Sequence, residues 1–280
     1  MKRKIFLLPT ALLILFAGMQ SCTQPKTAED LGWKLAIQAW TFNKYSFKEA
    51  VEKTKELGLK YIEAYPGQPL GGDYTGTTIY NGGEETRSAM KEILKNNDIK
   101  LINYGVVKAD SIEQWKEIFD FAKDMGIETF TAEPTPEQMD AVGKFCDEYN
   151  INIAIHNHPK PSFYWSPETV LENIKGQTSR IGSCADVGHW VRSGLDPVEC
   201  LKKLEGHIIS IHFKDLNEKS PEAHDVPWGT GVCNVKGMLE ELHRQNYKGV
   251  FSIEYEYNWE NSMPDIVKSI QTFNEVIAAF

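Results

Sequence analysis

Apolar and polar residues alternate in eight short segments of this 280-residue chain. In one of them Ile153 and Ile155 fall on one face of an extended chain, whereas Ala154, His156 and His158 fall on the other. Such alternation is typical of strands that pack one face against helices. The predicted strands are Lys34–Phe42, Lys60–Pro66, Lys100–Val107, Glu128–Pro134, Asn152–Pro159, Ile181–Val187, Ile208–Leu216 and Val250–Tyr257.

An amphipathic segment with helical spacing follows each predicted strand. Several of these segments carry start and stop signals, such as Ser46 before the first segment and Gly58 after it. The predicted helices are Phe47–Leu57, Glu84–Asn96, Ile112–Met125, Glu137–Tyr149, Pro167–Ile174, Pro197–Leu204, Val235–Gln245 and Met263–Phe280.

Eight strand–helix units within about 250 residues predict an α/β fold, a (β/α)8 TIM barrel that forms a single domain over residues 32–280. The alternative is a doubly wound open sheet. That fold would favour a glycine-rich phosphate loop after the first strand, where this chain has Trp40-Thr41-Phe42-Asn43.

The first residues have the pattern of an export signal. Lys2, Arg3 and Lys4 precede an apolar stretch that is too short to span a membrane stably. Ser21-Cys22 then resembles a bacterial lipoprotein cleavage site. We therefore expect a signal peptide over residues 1–21, lipidation of Cys22, a tether over 22–31 and a periplasmic or cell-envelope location. Ordinary secretory cleavage and an uncleaved anchor are the alternatives.

Charge and cysteine content narrow the possible partners. The net charge is −9, which argues against recruitment of nucleic acid or anionic lipid by bulk charge. Contact with a membrane is expected only through the N-terminal lipid. The chain has no C-x-x-C pair, so we expect most of its remaining cysteines to be buried free thiols.

Ionisable residues concentrate at the carboxyl ends of the last four predicted strands, where barrel enzymes carry their chemistry. His156, Asp186, His212 and Glu254 are predicted to point into the barrel, where unpaired charges are too costly to persist. Two imidazoles and two carboxylates suit one divalent ion, which could be Mn, Co, Zn, Ni or Mg. Glu133 competes with His156 for the first ligand position.

Five motifs occur in a characteristic order, and together they resemble the xylose-isomerase-like TIM barrels, also known as sugar phosphate isomerases/epimerases. The resemblance covers roughly residues 33–280 and implies one divalent metal held by His156, Asp186, His212 and Glu254. His156 departs from the glutamate that is usual there, which weighs against simple epimerase chemistry. The motifs are Ile155-His156-Asn157-His158-Pro159, Cys184-Ala185-Asp186-Val187-Gly188-His189-Trp190, His212-Phe213-Lys214-Asp215, Pro227-Trp228-Gly229-Thr230-Gly231 and Ser252-Ile253-Glu254-Tyr255-Glu256.

The same family contains DNA-repair endonucleases with three zinc ions. Those enzymes need histidines at the ends of the second and third strands. This chain has Glu63-Ala64-Tyr65 and Asn103-Tyr104-Gly105 there, so we do not expect nuclease activity.

A divalent ion beside a keto group acidifies the neighbouring C–H bond, and a positioned base then removes the proton. His158 is the predicted base, because it lies two residues beyond His156 on the same strand face. Glu133, His189 and Lys214 are candidates to protonate or hold substrate oxygens. Trp40, Trp190 and Trp228 are candidates to stack on a sugar ring.

Proton removal can lead to isomerisation, epimerisation or β-elimination. An exported protein would meet glycosides more often than sugar phosphates, and some members of the resembled family that cleave 3-keto-glycosides carry a histidine at the position of His158. We therefore predict a metal-dependent 3-keto-glycoside lyase whose partner is a small keto sugar or glycoside. The alternatives are an isomerase or epimerase of unphosphorylated sugars and a non-catalytic sugar-binding lipoprotein.

Overall fold

Eight parallel strands close into a barrel in the computed structural model, which describes residues 25–280. Closure is complete because the first strand pairs with both the second and the last. The predicted barrel is therefore confirmed, and the open-sheet alternative is wrong. The strands are β1 (Lys34–Gln38), β2 (Tyr61–Ala64), β3 (Pro69–Gly71), β4 (Tyr74–Thr77), β5 (Lys100–Val107), β6 (Thr129–Ala132), β7 (Asn152–His156), β8 (Ile181–Asp186), β9 (Ile208–Phe213) and β10 (Val250–Ile253), of which β3 and β4 form a separate hairpin.

The helices cover the outside of the barrel, and the predicted helical segments are all present. The sequence did not predict the β3–β4 hairpin, the short α-helix directly after β8, or the 3-10 helices Glu29–Leu31 and Ala39–Phe42, the second of which replaces the end of the first predicted strand. The α-helices of the described chain are α1 (Phe47–Glu56), α2 (Gly83–Asn97), α3 (Ile112–Met125), α4 (Met139–Tyr149), α5 (Pro167–Ile174), α6 (Val187–Arg192), α7 (Pro197–Lys203), α8 (Val235–Arg244) and α9 (Met263–Ile277).

The apolar faces of the strands pack outward against these helices. Ile153 and Ile155 are fully buried in this layer, as the alternation of β7 predicts. The polar faces point into the barrel and carry the candidate site. Cys146, Cys184, Cys200 and Cys233 are free and buried in the structure, as expected.

The predicted signal peptide and Cys22 lie outside the described residues. Near the start of the described chain, Glu29–Leu31 forms a 3-10 helix, and Leu31 already belongs to the hydrophobic core. Between residues 25 and 280, no helix has both the length and the apolar character needed to cross a membrane.

Most barrel strands end earlier than the alternation predicts. The pattern of β7 continues to Pro159, but the strand ends at His156, so His158 lies in the following loop. A strand ends where its backbone stops pairing with its neighbours, and alternation of side chains does not report that point. The side chains just beyond the ladder form the rim of the barrel.

Asp215 anchors the long loop between β9 and α8. Its buried carboxylate accepts four backbone hydrogen bonds, from the N–H groups of Leu216, Gly229, Gly231 and Cys233, at 2.8–3.0 Å. This single side chain therefore satisfies four N–H groups of the loop at once.

We expect Asp215→Ala to lower the free energy of unfolding by about 3–4 kcal/mol, because several buried N–H groups lose their acceptor at once. Urea unfolding of purified protein measures this value. Asp73→Ala is the matched control, since Asp73 is exposed, and it should change stability by less than about 0.5 kcal/mol. Equal midpoints for the two variants would contradict the anchoring role.

Candidate active site

Four predicted metal ligands converge at the carboxyl end of the barrel. His156 and Asp186 are the last residues of β7 and β8, His212 lies on β9, and Glu254 directly follows β10. The parallel register places Asp186 beside His212. One candidate ligand atom from each of the four residues lies within 4.8 Å of the others, and all four side chains are buried. Folding therefore brings together the four residues that the sequence indicated.

The unpaired atoms of these residues fit a bound cation. Both ring nitrogens of His156 and Nδ1 of His212 are buried without a hydrogen-bond partner among the described residues. Oδ2 of Asp186 and Oε2 of Glu254 likewise make no hydrogen bond there, although both lie within 3.0 Å of Nζ of Lys214. A buried polar atom left without a partner costs about 1–3 kcal/mol. One divalent ion would satisfy atoms from all four residues, and mixed nitrogen and oxygen donors admit several ions.

Lys214 balances the acidic charge beneath the cluster. Its fully buried Nζ lies 3.0 Å from Oδ2 of Asp186, 2.9 Å from Oε2 of Glu254 and 2.6 Å from Oε2 of Glu256. Burial alone would lower the pKa of Lys214, but these carboxylates raise it well above its usual value. Lys214 is not among the residues that line the cavity. In the structure Lys214 pairs with carboxylates and is buried away from the cavity surface, which counts against its predicted role as a group that holds substrate oxygens.

Glu133 and His158 form a hydrogen-bonded pair at one side of the cluster. Oε1 of Glu133 lies 2.5 Å from Nδ1 of His158, and Oε2 lies 2.7 Å from Nζ of Lys108. Burial would raise the pKa of Glu133, but its contacts with His156, His158 and Lys108 outweigh this effect and lower the pKa. An ionised Glu133 accepts the Nδ1–H of His158, which leaves Nε2 of His158 as a proton acceptor.

Glu133 and His156 belong to overlapping candidate groups. His156 clusters with Asp186, His212 and Glu254, and it also clusters with Glu133 and His158; in each group the candidate ligand atoms lie within 4.8 Å of one another. Oε1 of Glu133 lies 3.8 Å from Nδ1 of His156. The larger group contains His156 and not Glu133, which favours His156 as a ligand and leaves Glu133 to orient the two imidazoles.

His189 is a neutral hydrogen-bond donor on the cavity wall. Burial lowers its pKa well below the usual value. Nη1 of Arg192 lies 3.1 Å from Nδ1 of His189, and a guanidinium only donates. Nδ1 is therefore the acceptor, and the imidazole proton sits on Nε2. Nε2 lies 3.6 Å from Oδ2 of Asp186, beside the ligand cluster.

The cluster opens into a cavity of about 420 Å³ at the barrel mouth. Trp40 is 41% exposed, and its ring meets Tyr65 edge-on with centroids 5.0 Å apart. This pair gives one wall an apolar surface, as the prediction for Trp40 requires. The lining residues are Gln38, Trp40, Tyr65, Pro66, Gly105, Val106, His156, His158, His189, Glu254 and Glu256.

The predicted stacking roles of Trp190 and Trp228 are wrong. Both side chains are 1% exposed, and neither lines the cavity. Trp228 packs in the core, 4.8 Å from Phe213 and 6.1 Å from Phe273 between ring centroids. Trp228 lies in the β9–α8 loop, which directs its indole into the core. Trp190 lies on helix α6, on the side that faces the core.

Two carboxylates of the site were missed by the sequence reasoning. Glu63 on β2 lies inside the barrel, with Oε1 3.0 Å from Nε2 of His212. Glu256 lines the cavity two residues after Glu254. The sequence feature that could have identified Glu256 is its place on the same strand face as Glu254. The feature that could have identified Glu63 is a single carboxylate in an otherwise apolar, buried strand.

Comparisons with known proteins agree with this architecture. A family model described as a xylose isomerase-like TIM barrel matches residues 51–276. An inosose dehydratase from Bacillus cereus (strain AH820) is 27% identical over 133 residues, which cover 41% of this chain and 44% of that protein. The match thus spans less than half of that relative's length.

Solved structures extend the likeness to nearly the whole described chain. An uncharacterised protein from Parabacteroides distasonis ATCC 8503 is 34% identical with a TM-score of 0.72, covering 87% of this chain and 99% of that one. A xylose isomerase-like TIM barrel protein from Mycobacterium smegmatis, in complex with magnesium, is 13% identical with a TM-score of 0.69, covering 88% and 97% of the two chains. At that identity the second likeness shows the fold alone.

Proposed function

This chain belongs to the xylose isomerase-like TIM barrel family, and from that premise we propose that it is a divalent-metal-dependent carbohydrate lyase. The proposed reaction is β-elimination from a 3-keto-glycoside. The observation that carries the proposal is the position of His158, which lines the cavity beside the four-residue cluster with its Nδ1 held by Glu133. An exported location, predicted from residues 1–22, is part of the proposal.

The elimination needs a base and a hydrogen-bond donor, and the cavity has both. Nε2 of His158 takes the proton from C2, the electron pair of that C–H bond forms the C1=C2 double bond, and the C1–O bond to the aglycone breaks. Nε2–H of His189 donates a hydrogen bond to an oxygen of the substrate. The aglycone oxygen takes a proton from water, and His158 returns its proton to water. A divalent ion held by His156, Asp186, His212 and Glu254 would polarise the keto oxygen of the substrate.

The charge of the cavity favours a neutral substrate. None of its lining residues is lysine or arginine, whereas Glu254 and Glu256 are acidic. Arg192 lies behind the wall, paired with Asp225 and Glu256 at 3.1 and 3.4 Å. Within residues 25–280, the cavity lining therefore offers no lysine or arginine to bind a phosphate or carboxylate. The wall of Trp40 and Tyr65 suits the C–H face of a sugar ring.

The curated relative supports elimination in particular. Its name describes dehydration of an inosose, which is a neutral cyclic hydroxyketone. Loss of water beside a ketone follows the same steps as loss of an aglycone beside a ketone: a proton leaves one carbon and an oxygen leaves the next. Elimination therefore accounts for the site and for the relative's name together.

We expect purified protein loaded with Mn²⁺ to release the aglycone from a neutral aryl 3-keto-glucoside and to form an enone that absorbs in the ultraviolet. The corresponding 3-keto-glucuronide should react at least about tenfold more slowly in kcat/KM, because its carboxylate would enter a cavity that Glu254 and Glu256 line. An inosose and free ketoses are assayed in parallel, in D2O.

The outcomes separate the candidate functions. Deuterium entry into a ketose without release of any leaving group would replace the lyase by an isomerase or epimerase. Ligand binding without deuterium exchange or turnover would make the protein a sugar-binding protein.

A further inference from the structure

Glu63 joins five strands of the barrel beneath the ligand cluster. Its fully buried carboxylate accepts hydrogen bonds from Oγ1 of Thr131 at 2.6 Å and from Oγ of Ser252 at 2.5 Å. Nδ2 of Asn103 lies 3.5 Å from Oε2, and Nε2 of His212 lies 3.0 Å from Oε1. These partners come from β5, β6, β9 and β10.

His212 is the only ionisable group among these four partners. A buried carboxylate is costly unless it is paired and hydrogen-bonded. The hydroxyls of Thr131 and Ser252 donate to the two oxygens of Glu63, one to each, which is the environment of an ionised carboxylate. An ionised carboxylate only accepts hydrogen bonds, so Nε2 of His212 must carry a proton and donate it.

The opposite nitrogen of the same ring faces the ligand cluster. Nδ1 of His212 lies 2.9 Å from Oε2 of Glu254 and 3.9 Å from Oδ2 of Asp186, and it has no hydrogen-bond partner among the described residues. An imidazole that ligates a metal is neutral and carries one proton, so a proton held on Nε2 leaves the lone pair of Nδ1 for the metal.

We propose that Glu63 is a positioning residue that holds His212 in the Nε2–H tautomer, with Nδ1 directed to a divalent cation. A carboxylate behind a ligating histidine also raises the basicity of the ligand nitrogen. The inference rests on the proposed function only through the cation, since it involves no substrate. It gives a role to a carboxylate that lies too deep in the barrel to line the cavity.

Glu63→Gln tests the role, because the amide keeps the shape of the side chain and removes its charge. We expect the dissociation constant for Mn²⁺, measured by competition with a chelator, to rise by about 10- to 100-fold. The visible spectrum of the Co²⁺-loaded protein should change as well. Glu241→Gln is the matched control: Glu241 is a buried carboxylate of α8 that bonds Arg244 and Gln245, and its loss should leave the Mn²⁺ affinity unchanged.

A purely structural role would lower the melting temperature of Glu63→Gln and leave its Mn²⁺ affinity equal to that of the unaltered protein. That result overturns the proposal. Metal affinity is measured without any sugar, so tight binding without turnover would count against the proposed function and not against the role of Glu63.

A measurement on the unaltered protein tests the proposed tautomer of His212 even if the Glu63→Gln variant does not fold. In protein labelled with ¹⁵N-histidine and loaded with Zn²⁺, nuclear magnetic resonance should show the proton of His212 on Nε2 and a metal-bound Nδ1. A proton on Nδ1 would overturn the proposal.

Discussion

Replacing Asp186 by asparagine should abolish stoichiometric binding of a divalent metal and lower turnover by at least about 10³-fold, which corresponds to about 4 kcal/mol of lost transition-state stabilisation. Asp186 is fully buried, and its Oδ2 makes no hydrogen bond within the described chain, although it lies 3.0 Å from Nζ of Lys214. Its Oδ1 caps helix α6 by accepting the N–H of His189 at 2.8 Å. Asparagine can keep that cap but loses the charge that attracts the cation.

The matched control is Asp196→Asn. Asp196 is also an aspartate at a helix N-cap, where it accepts the N–H groups of Val198 and Glu199 at the start of α7. It is not among the clustered ligands, so its variant should retain metal and turnover. Metal content is measured by mass spectrometry after gel filtration, and turnover by aglycone release. An Asp186→Asn protein that keeps one equivalent of metal would remove Asp186 from the ligand set.

Removing the metal with a chelator tests the metal dependence of turnover without any substitution. Treatment with a chelator should stop turnover by the unaltered protein, and addition of Mn²⁺ should restore it. The loss in Asp186→Asn should resist added metal at concentrations that restore the chelated protein. This contrast separates a lost ligand from metal that was merely removed during purification.

The barrel and its ligand cluster could be predicted from the sequence because both depend on local alternation. In parallel strands, a polar residue near the carboxyl end of one strand lies beside its counterpart on the next strand. Asp186 pairs in register with His212 for this reason. Four separate local patterns therefore identify one shared site.

Partners from distant parts of the chain could not be predicted in this way. Glu63 and His212 are 149 positions apart, and their contact depends on β2 and β9 pointing side chains into the same interior. The direction of Trp228 depends on how Asp215 folds the loop around it. Alternation shows which face a side chain occupies, and it does not show which residue lies opposite across a closed barrel.

Replacing His158 by alanine should lower the rate of elimination by about 10²- to 10⁴-fold while leaving metal affinity unchanged, because a positioned general base contributes that much to proton transfer. His158 lies outside the four-residue cluster, and its side chain is 42% exposed at the barrel mouth. Its removal therefore leaves the ligands and the core intact. The measurements are aglycone release and exchange of the C2 proton with D2O.

Two further variants identify the source of the loss. His243→Ala removes an exposed imidazole from α8, outside the cavity, and should retain the full rate. Glu133→Gln should lower the rate by about 10- to 100-fold, since the hydrogen bond at Nδ1 orients the base and stabilises the imidazolium that forms. Elimination by His158→Ala at the unaltered rate would exclude His158 as the base. If Glu133→Gln alone were then slow, the carboxylate itself would take the proton, and the pair would act with its roles reversed.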